Sequence, residues 1–362
     1  ELPDLSNATN LERLDLNFCQ SLVEIPSSIG NLQKLECLDI GFCSKLQVVP
    51  LSNLASLDTL GMTGCWQLRK FPDISTNLTE LAIADTMLED LPESIRLSSR
   101  LETLRIHGSV FSVIGWRVED NLRRSGADIE RIPVWIKDLQ GLEWLHITGC
   151  PKLASIPELP GSLIGMTVDT CESLETISLP FDSKPLILYI ANCFKLSPKA
   201  RRAITQPSIF AYLPGREIPA EFNHRAIGNS LIVRSSSSRF RICAVVSTIQ
   251  EMGSSSFSFL CRIRINGCSI EKNIFEKLSR IESEHLFIFP YEFPDKDGWA
   301  LEHDNEVIFE FSNPSQEVSI IECGVQILTD ETDTSRSSYG SYEDMDENLS
   351  DWSYESCSEQ VF

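Results

Sequence analysis

Features that announce an enzyme are missing from this 362-residue sequence. It has no G-x-x-x-x-G-K-[ST] loop to cradle phosphates, no H-E-x-x-H helix to hold a metal and no G-x-S-x-G elbow to present a nucleophilic serine. Histidine is scarce. The five residues, His107, His146, His224, His285 and His303, are scattered, which favours surface or hydrogen-bonded roles over ligation. No two of the 12 cysteines stand in C-x-x-C spacing, so the usual zinc and dithiol signatures are absent. No apolar run approaches the roughly 18 residues of a spanning helix, and the longest candidate, "ICAVVSTI", has strand length. Positive charge is also short. With 31 Lys and Arg against 52 Asp and Glu, the net charge of -21 repels phosphate backbones and anionic lipid, which argues against nucleic acid and membrane as partners. Neither an initiator methionine nor a signal peptide opens the chain. "ELPDL" begins inside a repeating phrase, so the sequence reads as the C-terminal piece of a longer protein.

What the chain does contain is apolar residues, 42% of the total and ample for a core, arranged with a long period. Anchored on Cys19, leucines stand at Leu11, Leu14 and Leu16 before it, and Leu22, Ile25 and Pro26 after it. Cys43, Cys65, Cys150, Cys171 and Cys193 anchor further copies, while Thr86 and Ser109 take the cysteine position in two others. The copies recur about every 21 to 24 residues, except for a gap of 41 between Ser109 and Cys150 that hides a degraded copy near 110–128. This is the period and the L-x-x-L-x-L-x-x-(N/C)-x-L pattern of a leucine-rich repeat, here of about nine turns, one with a spoiled strand. L-x-L turns two side chains inward from each short strand, and no turn buries its apolar face without the next. The chain must bend after each strand, where a small residue able to bond to backbone fits. The cysteine column is therefore expected to be a buried ladder of reduced thiols in a reducing compartment.

Periodicity ends at Ser197. "SPKARRAI" places Ser as N-cap and Pro198 at the first helical position, predicting a short closing helix. From about Ser208 to Leu328 seven segments read as strands of an antiparallel sandwich: "SIFAYLP", "NSLIVRS", "RFRICAVVST", "SFSFLCRIRIN", "HLFIFP", "EVIFEFS" and "VSIIECGVQIL". In "LPGREIP", Arg216 and Glu217 suggest a structural ion pair beside a Pro214-Gly215 turn. Beyond Thr329 ten acidic residues stand against one arginine, the composition of a disordered tail.

The C-x-x-L-x-x-[IVF]-P repeats, leading through "NCFKLSPKARRAI" into "LPGREIPAEFNHRAIGNSL", resemble the C-terminal half of plant TIR-type nucleotide-binding leucine-rich-repeat disease resistance proteins. The resemblance implies an α/β leucine-rich-repeat solenoid with a parallel concave sheet over 1–198, a capping helix and linker over 199–207, and an all-β jelly-roll or immunoglobulin-like sandwich over 208–328. A disordered acidic tail over 329–362 would follow. It also implies a sensor that binds a pathogen effector protein, contacts an upstream nucleotide-binding domain and oligomerises on activation, in the cytoplasm or nucleus. The TIR domain that cleaves NAD and the ADP/ATP switch would lie outside this chain, leaving it no cofactor, no metal and no catalytic residue. The alternative is a scaffold or truncated receptor that binds host proteins.

Partner-binding candidates are positions expected to be exposed between the inward leucines: Arg13, Asp15, Asn17, Asp39, Arg105, His107, Trp144, His146, Asp169 and Tyr189. Phe18 and Phe42 join them beside the cysteine column. Aromatics and arginine on a rigid sheet are the usual anchors of a protein interface. A second contact is expected from a free loop carrying Tyr291, Phe293 and Trp299, facing one cleft with the last turns.

Overall fold

The computed structural model describes residues 2–51, 54–68, 71–72, 77–84, 91, 93–108, 129–180, 185–248, 256–279, 281–293, 305–313 and 318–328. The tail over 329–362, the degraded copy near 110–128 and Trp299 lie outside these residues.

In the repeat region L-x-L builds short strands because a period of two sends both leucines to one side. The strands are β1 (Arg13–Asp15), β2 (Cys37–Asp39), β3 (Thr59–Thr63), β4 (Glu80–Ala84), β5 (Thr103–His107), β6 (Trp144–Thr148), β7 (Ser155–Ile156), β8 (Gly165–Asp169), β9 (Thr176–Ile177) and β10 (Leu186–Ala191). All except β7 and β9 pair in parallel, in register, so that Leu38, Leu60, Leu81, Leu104, Leu145, Met166 and Leu188 form one fully buried row. Burying each such side chain contributes about 1.5–3 kcal/mol. β5 pairs directly with β6, so the spoiled copy contributes no rung between them.

The bend after each strand has one backbone solution. The residue before the cysteine adopts the left-handed conformation at Phe18, Phe42, Gly64, Gly149, Thr170 and Asn192, with φ between 52° and 70°. Glycine and asparagine take it readily; Phe and especially β-branched Thr do so under strain. The cysteine then turns inward: the Cys43 and Cys65 thiols donate to Leu16 O and Ile40 O, each at 3.2 Å. Burial pushes the Cys65 thiol up to about 12. Cys19 departs from the expected buried ladder. It is exposed, because no turn precedes β1 among the described residues to cover it.

On the far side of the turns the chain forms 3-10 helices of five residues, Ser27–Asn31, Glu93–Leu97 and Val134–Asp138, each with one buried isoleucine. Too few residues separate the proline of each turn from the next strand for an α-helix and its return. The described residues contain one α-helix, α1 (Pro198–Ile204), whose Ser197 side chain accepts from the Ala200 N–H at 3.2 Å. No helix among the described residues is long and apolar enough to cross a membrane, which says nothing of a β-barrel.

After α1 come β11 (Ile209–Pro214), β12 (His224–Ile227), β13 (Ser230–Ser235), β14 (Arg239–Thr248), β15 (Ser256–Ile265), β16 (Cys268–Ser279), β17 (His285–Glu292), β18 (Asn305–Ser312) and β19 (Val318–Leu328). The seven expected segments are strands, and β12 and β16 are additional. β11 pairs in parallel with β10, and then antiparallel with β17, so the repeat sheet runs on without a break. The result is a mixed sheet of 13 strands, ordered β1-β2-β3-β4-β5-β6-β8-β10-β11-β17-β14-β19-β12, with a four-stranded sheet β13-β18-β15-β16. The two pack through Phe259 against Phe287, centroids 4.4 Å apart, and Phe240 against Phe309 at 5.6 Å.

The expected fold class, an α/β leucine-rich-repeat solenoid followed by an all-β jelly-roll or immunoglobulin-like sandwich, is thereby overturned. Among the described residues no α-helix stands between the repeat strands, and one large mixed sheet runs from β1 through the strands after α1. β10 and β11 explain the continuity. Leu186, Leu188 and Ile190 face the repeat core, while Ile187, Ala191, Phe210 and Tyr212 face the phenylalanine-rich second core. β10 and β11 are therefore buried on both faces. The Arg216 ion pair also differs from expectation: its Nε lies 3.4 Å from Glu284 rather than pairing with Glu217.

Candidate functional site

The outward face of the parallel strands carries the polar and aromatic side chains in rows set by register. Asp15 lies opposite Asp39, and Arg105 opposite His146. At the β1 end Asp15 Oδ1 accepts the Asn17 N–H at 2.8 Å, and Asp39 Oδ1 accepts the Gly41 N–H at 3.1 Å. Gly41 and Gly61 leave room for these groups; a Cβ at Gly61 would stand 2.9 Å from Asp39 Oδ1. Burial raises the Asp39 pKa, against hydrogen bonds from Asn17 and Gly41, and the Asp15 charge adds to the rise. Arg13, Asp15 and Phe18 are exposed, and Asn17, Asp39 and Phe42 are half-buried. The rings of Phe18 and Phe42 stack at 4.7 Å, within 3° of parallel. Left-handed backbone at two consecutive pre-cysteine positions aims both rings the same way.

In the middle, Arg105 Nε donates to Glu80 Oε1 at 2.8 Å across neighbouring strands. Burial, and then the Arg105 charge, lower His107 to about 4 and hold His146 well below the usual imidazole range. Both rings are therefore neutral at physiological pH. The Trp144 indole lies across Gly165 of the next strand, in the volume a Cβ there would claim.

Toward β10 and β17 the face becomes a buried hydrogen-bond network. In earlier turns the left-handed residue donates its N–H to the next strand, as Phe18 does to Gly41 O and Thr170 to Ala191 O. At Asn192 the acceptor is instead His285 Nε2, at 3.0 Å. Its Nδ1 lies 2.9 Å from Ser283 O, which defines the Nδ1–H tautomer. The Asn192 amide donates to Asp169 Oδ1 at 3.0 Å and accepts the Glu282 N–H at 3.0 Å; Thr170 Oγ1 also donates to Asp169. Burial raises Asp169 to about 6 against these bonds and lowers His285 to about 4. Tyr212 stacks on His285 at 5.1 Å with its hydroxyl buried and unpartnered.

These positions correct several expectations. His146 and Asp169, read as exposed, are buried at 4% and 7% because the neighbouring strands and side chains close over them. Trp144 and Tyr189 are partly buried against the second core. Tyr291 lies in β17, one residue before its end, and packs edge-on against Phe293 at 5.2 Å, and both are buried. The rest of the expected loop, with Trp299, lies outside the described residues. Sequence reasoning passed over Glu80, Asn192 and Tyr212. Asn192 carried a signal, since it occupies the position held by Gly64 and Gly149 before their cysteines. Among the described residues no group of three or more His, Cys, Asp or Glu side chains is placed to hold a metal ion.

No family model matches the chain. It is 41% identical to disease resistance protein RML1B of Arabidopsis thaliana over 92% of its own length and 33% of that protein's. RML1A of the same plant is 40% identical over 91% of the chain and 35% of the relative. Disease resistance protein RPP5, also from that plant, is 32% identical over 91% of the chain and 23% of its own length. The chain thus spans about a third or less of the curated relatives it matches. Among solved structures, the enzymatically active domain of bacteriophage CBA120 tailspike protein 4 aligns over 82% of the chain at 9% identity. Its TM-score of 0.21 is too low to carry any argument.

Proposed function

The chain belongs to the TIR-type disease resistance proteins of plants, and from that premise we propose that it is the recognition half of an immune receptor, binding a pathogen effector protein. The observation that carries this is the outward face of β1 to β5. It is a polar and aromatic surface held at fixed register on a sheet whose inner face is close-packed core. Recognition then resides at Arg13, Asp15, Asn17, Phe18, Asp39 and Phe42, and at the Arg105–Glu80 pair. His146, Asp169, Tyr291 and Phe293 are buried and fall outside that contact surface. Rigid aromatic and arginine anchors lose little conformational entropy on binding, which suits an interface. On this reading the chain performs no catalysis and needs no cofactor. Occupancy of the surface relieves contact with an upstream nucleotide-binding domain, and the full-length receptor oligomerises in the cytoplasm or nucleus.

The test is charge reversal in the full-length receptor expressed in leaf tissue with its triggering effector. Asp39→Arg and Arg105→Glu should each abolish effector co-precipitation and the defence response at unchanged abundance. Leu97→Glu, at an exposed 3-10 position on the opposite side, should leave both intact. Loss of response in the Leu97 variant with retention in the other two would place recognition elsewhere.

A further inference from the structure

The repeat ladder closes on a run of positive charge. Residues 183–216 contain six Lys or Arg and no Asp or Glu, in a chain whose net charge is -21. Lys195, in the last turn of the ladder, and Lys199 and Arg202, on α1, are exposed. Among the described residues none of the three has a carboxylate within ion-pairing distance. The field of α1 accounts for part of this charge. Arg201 and Arg202 stand in its last turn, where cations complement the negative end of the helix dipole. Lys199 stands in the first turn, which holds no acidic residue, and Lys195 precedes it, so both lie toward the positive end, where cations are disfavoured. Charge kept against its local field points to an anionic group that covers it.

The chain itself supplies such a group, because residues 329–362 carry ten acidic residues against one arginine. β19, whose last residue Leu328 precedes them in sequence, ends beside α1. The buried Arg241 makes the connection: its Nη1 donates to Gln326 Oε1 of β19 at 2.9 Å and its Nη2 to the carbonyl oxygen of Thr205, the C-cap of α1, at 2.6 Å. The block Glu343, Asp344, Asp346 and Glu347 begins 15 residues after Leu328. That length of chain reaches up to about 50 Å, against a helix of about 10 Å, so the block can lie over α1. A segment of the same chain meets this surface at roughly millimolar effective concentration, an advantage no separate acidic protein has. We propose that the acidic tail is an intramolecular strap: residues 330–359 dock on Lys195, Lys199 and Arg202 and cover the C-terminal end of the repeat ladder. Phe194, 45% exposed beside Lys195, offers an apolar contact to a tail ring such as Trp352. The inference is independent of effector recognition, since it uses no residue of the β1 to β5 face.

Zero-length carbodiimide coupling of the whole chain, read by peptide mass spectrometry, tests it, because the amide forms only between an amine and a carboxylate in contact. Lys137–Glu158 and Lys152–Glu130, ion-paired at 3.4 Å, give reference links in every sample, and their persistence shows that each variant is folded. In the wild type Lys195 and Lys199 should link to carboxylates of residues 330–359 within one copy, at yields comparable to the reference pairs. The Lys195 link should fall by at least about tenfold in K199E/R202E and again in E343K/D344K/D346K/E347K, since like charges then oppose. Combining the two sets should restore coupling in the opposite sense, from the lysines introduced in the tail to the carboxylate introduced at position 199. The proposal is overturned if the wild-type tail links to Lys195 and Lys199 no more than to the exposed Lys34 at the other end of the ladder. It is also overturned if the links join two copies, which would assign the surface to a neighbour's tail, if either reversal leaves the Lys195 link unchanged, or if the combined variant restores no coupling.

Discussion

His285 closes the last rung of the repeat ladder, and its removal has a pH signature that a purely structural loss lacks. His285→Ala deletes the acceptor for the Asn192 N–H, leaving a buried donor unsatisfied at a cost of about 1–3 kcal/mol. It also empties the space against Tyr212 and Phe194, whose rings lie 5.1 Å and 6.1 Å away. Together these give an expected loss of about 3–5 kcal/mol at pH 7. The imidazole is neutral when folded, with its pKa lowered to about 4, whereas the unfolded chain protonates near the ordinary imidazole value of about 6.5. A histidine whose folded pKa is depressed loses stability as pH falls through the unfolded pKa and stops losing it below the folded one. Between pH 7 and 5 the wild type descends 1.5 units below 6.5, at about 1.36 kcal/mol per unit, and so loses about 2 kcal/mol through this group. The alanine variant cannot. Urea titrations followed by tryptophan fluorescence at both pH values should therefore show the difference between wild type and variant shrinking by about 2 kcal/mol at pH 5. His107, His146 and Asp169 titrate in both proteins and cancel in the comparison. A difference that is constant with pH, or larger at pH 5, would refute the neutral acceptor role.

Other perturbations read other parts of the fold. Cys65→Ser should cost no more than about 1 kcal/mol, because a hydroxyl keeps the bond to Ile40 O, whereas Cys65→Leu should cost about 3 kcal/mol by overpacking a fully buried site; equal losses in thermal melts would contradict the ladder. Thr170→Asn should stabilise by about 1 kcal/mol, since asparagine tolerates φ 52° better than a β-branched side chain and can still reach Asp169; a destabilised variant would show that the threonine methyl packs usefully. Gly165→Ala should displace the Trp144 indole, read as a red-shifted emission and a lowered unfolding midpoint, while an unchanged spectrum would show the ring does not depend on that glycine. Tyr212→Phe should raise stability by about 1 kcal/mol in the same melts by removing an unpartnered buried hydroxyl, and a loss would mean the hydroxyl is satisfied in solution.

The sequence by itself determined what is local and periodic. The inward row from Leu38 to Leu188, the small residue at Cys43, Cys65, Cys150, Cys171 and Cys193, and the helix opening at Ser197-Pro198 each follow from side-chain size and backbone periodicity within one turn. The close similarity to disease resistance proteins was legible for the same reason, since the repeat phrase and the "LPGREIP" block are contiguous motifs. What only the tertiary structure decided involves two faces or two distant segments at once. Alternation marks one side of a strand as inward but not what covers the other, so His146 and Asp169 read as exposed and are buried. The continuous apolar runs of β10 and β11 held a hint of burial on both faces, yet nothing local identified β17 as the next strand of the sheet. Tyr291 and Phe293 looked like anchors in a charged loop, and packing across the two sheets drew them into the second core. The Asn192–His285 bond joins residues 93 positions apart, and its existence depends on the register with which β17 meets the end of the ladder. Register between distant strands is set by the summed fit of both faces, a quantity that no single stretch of sequence contains.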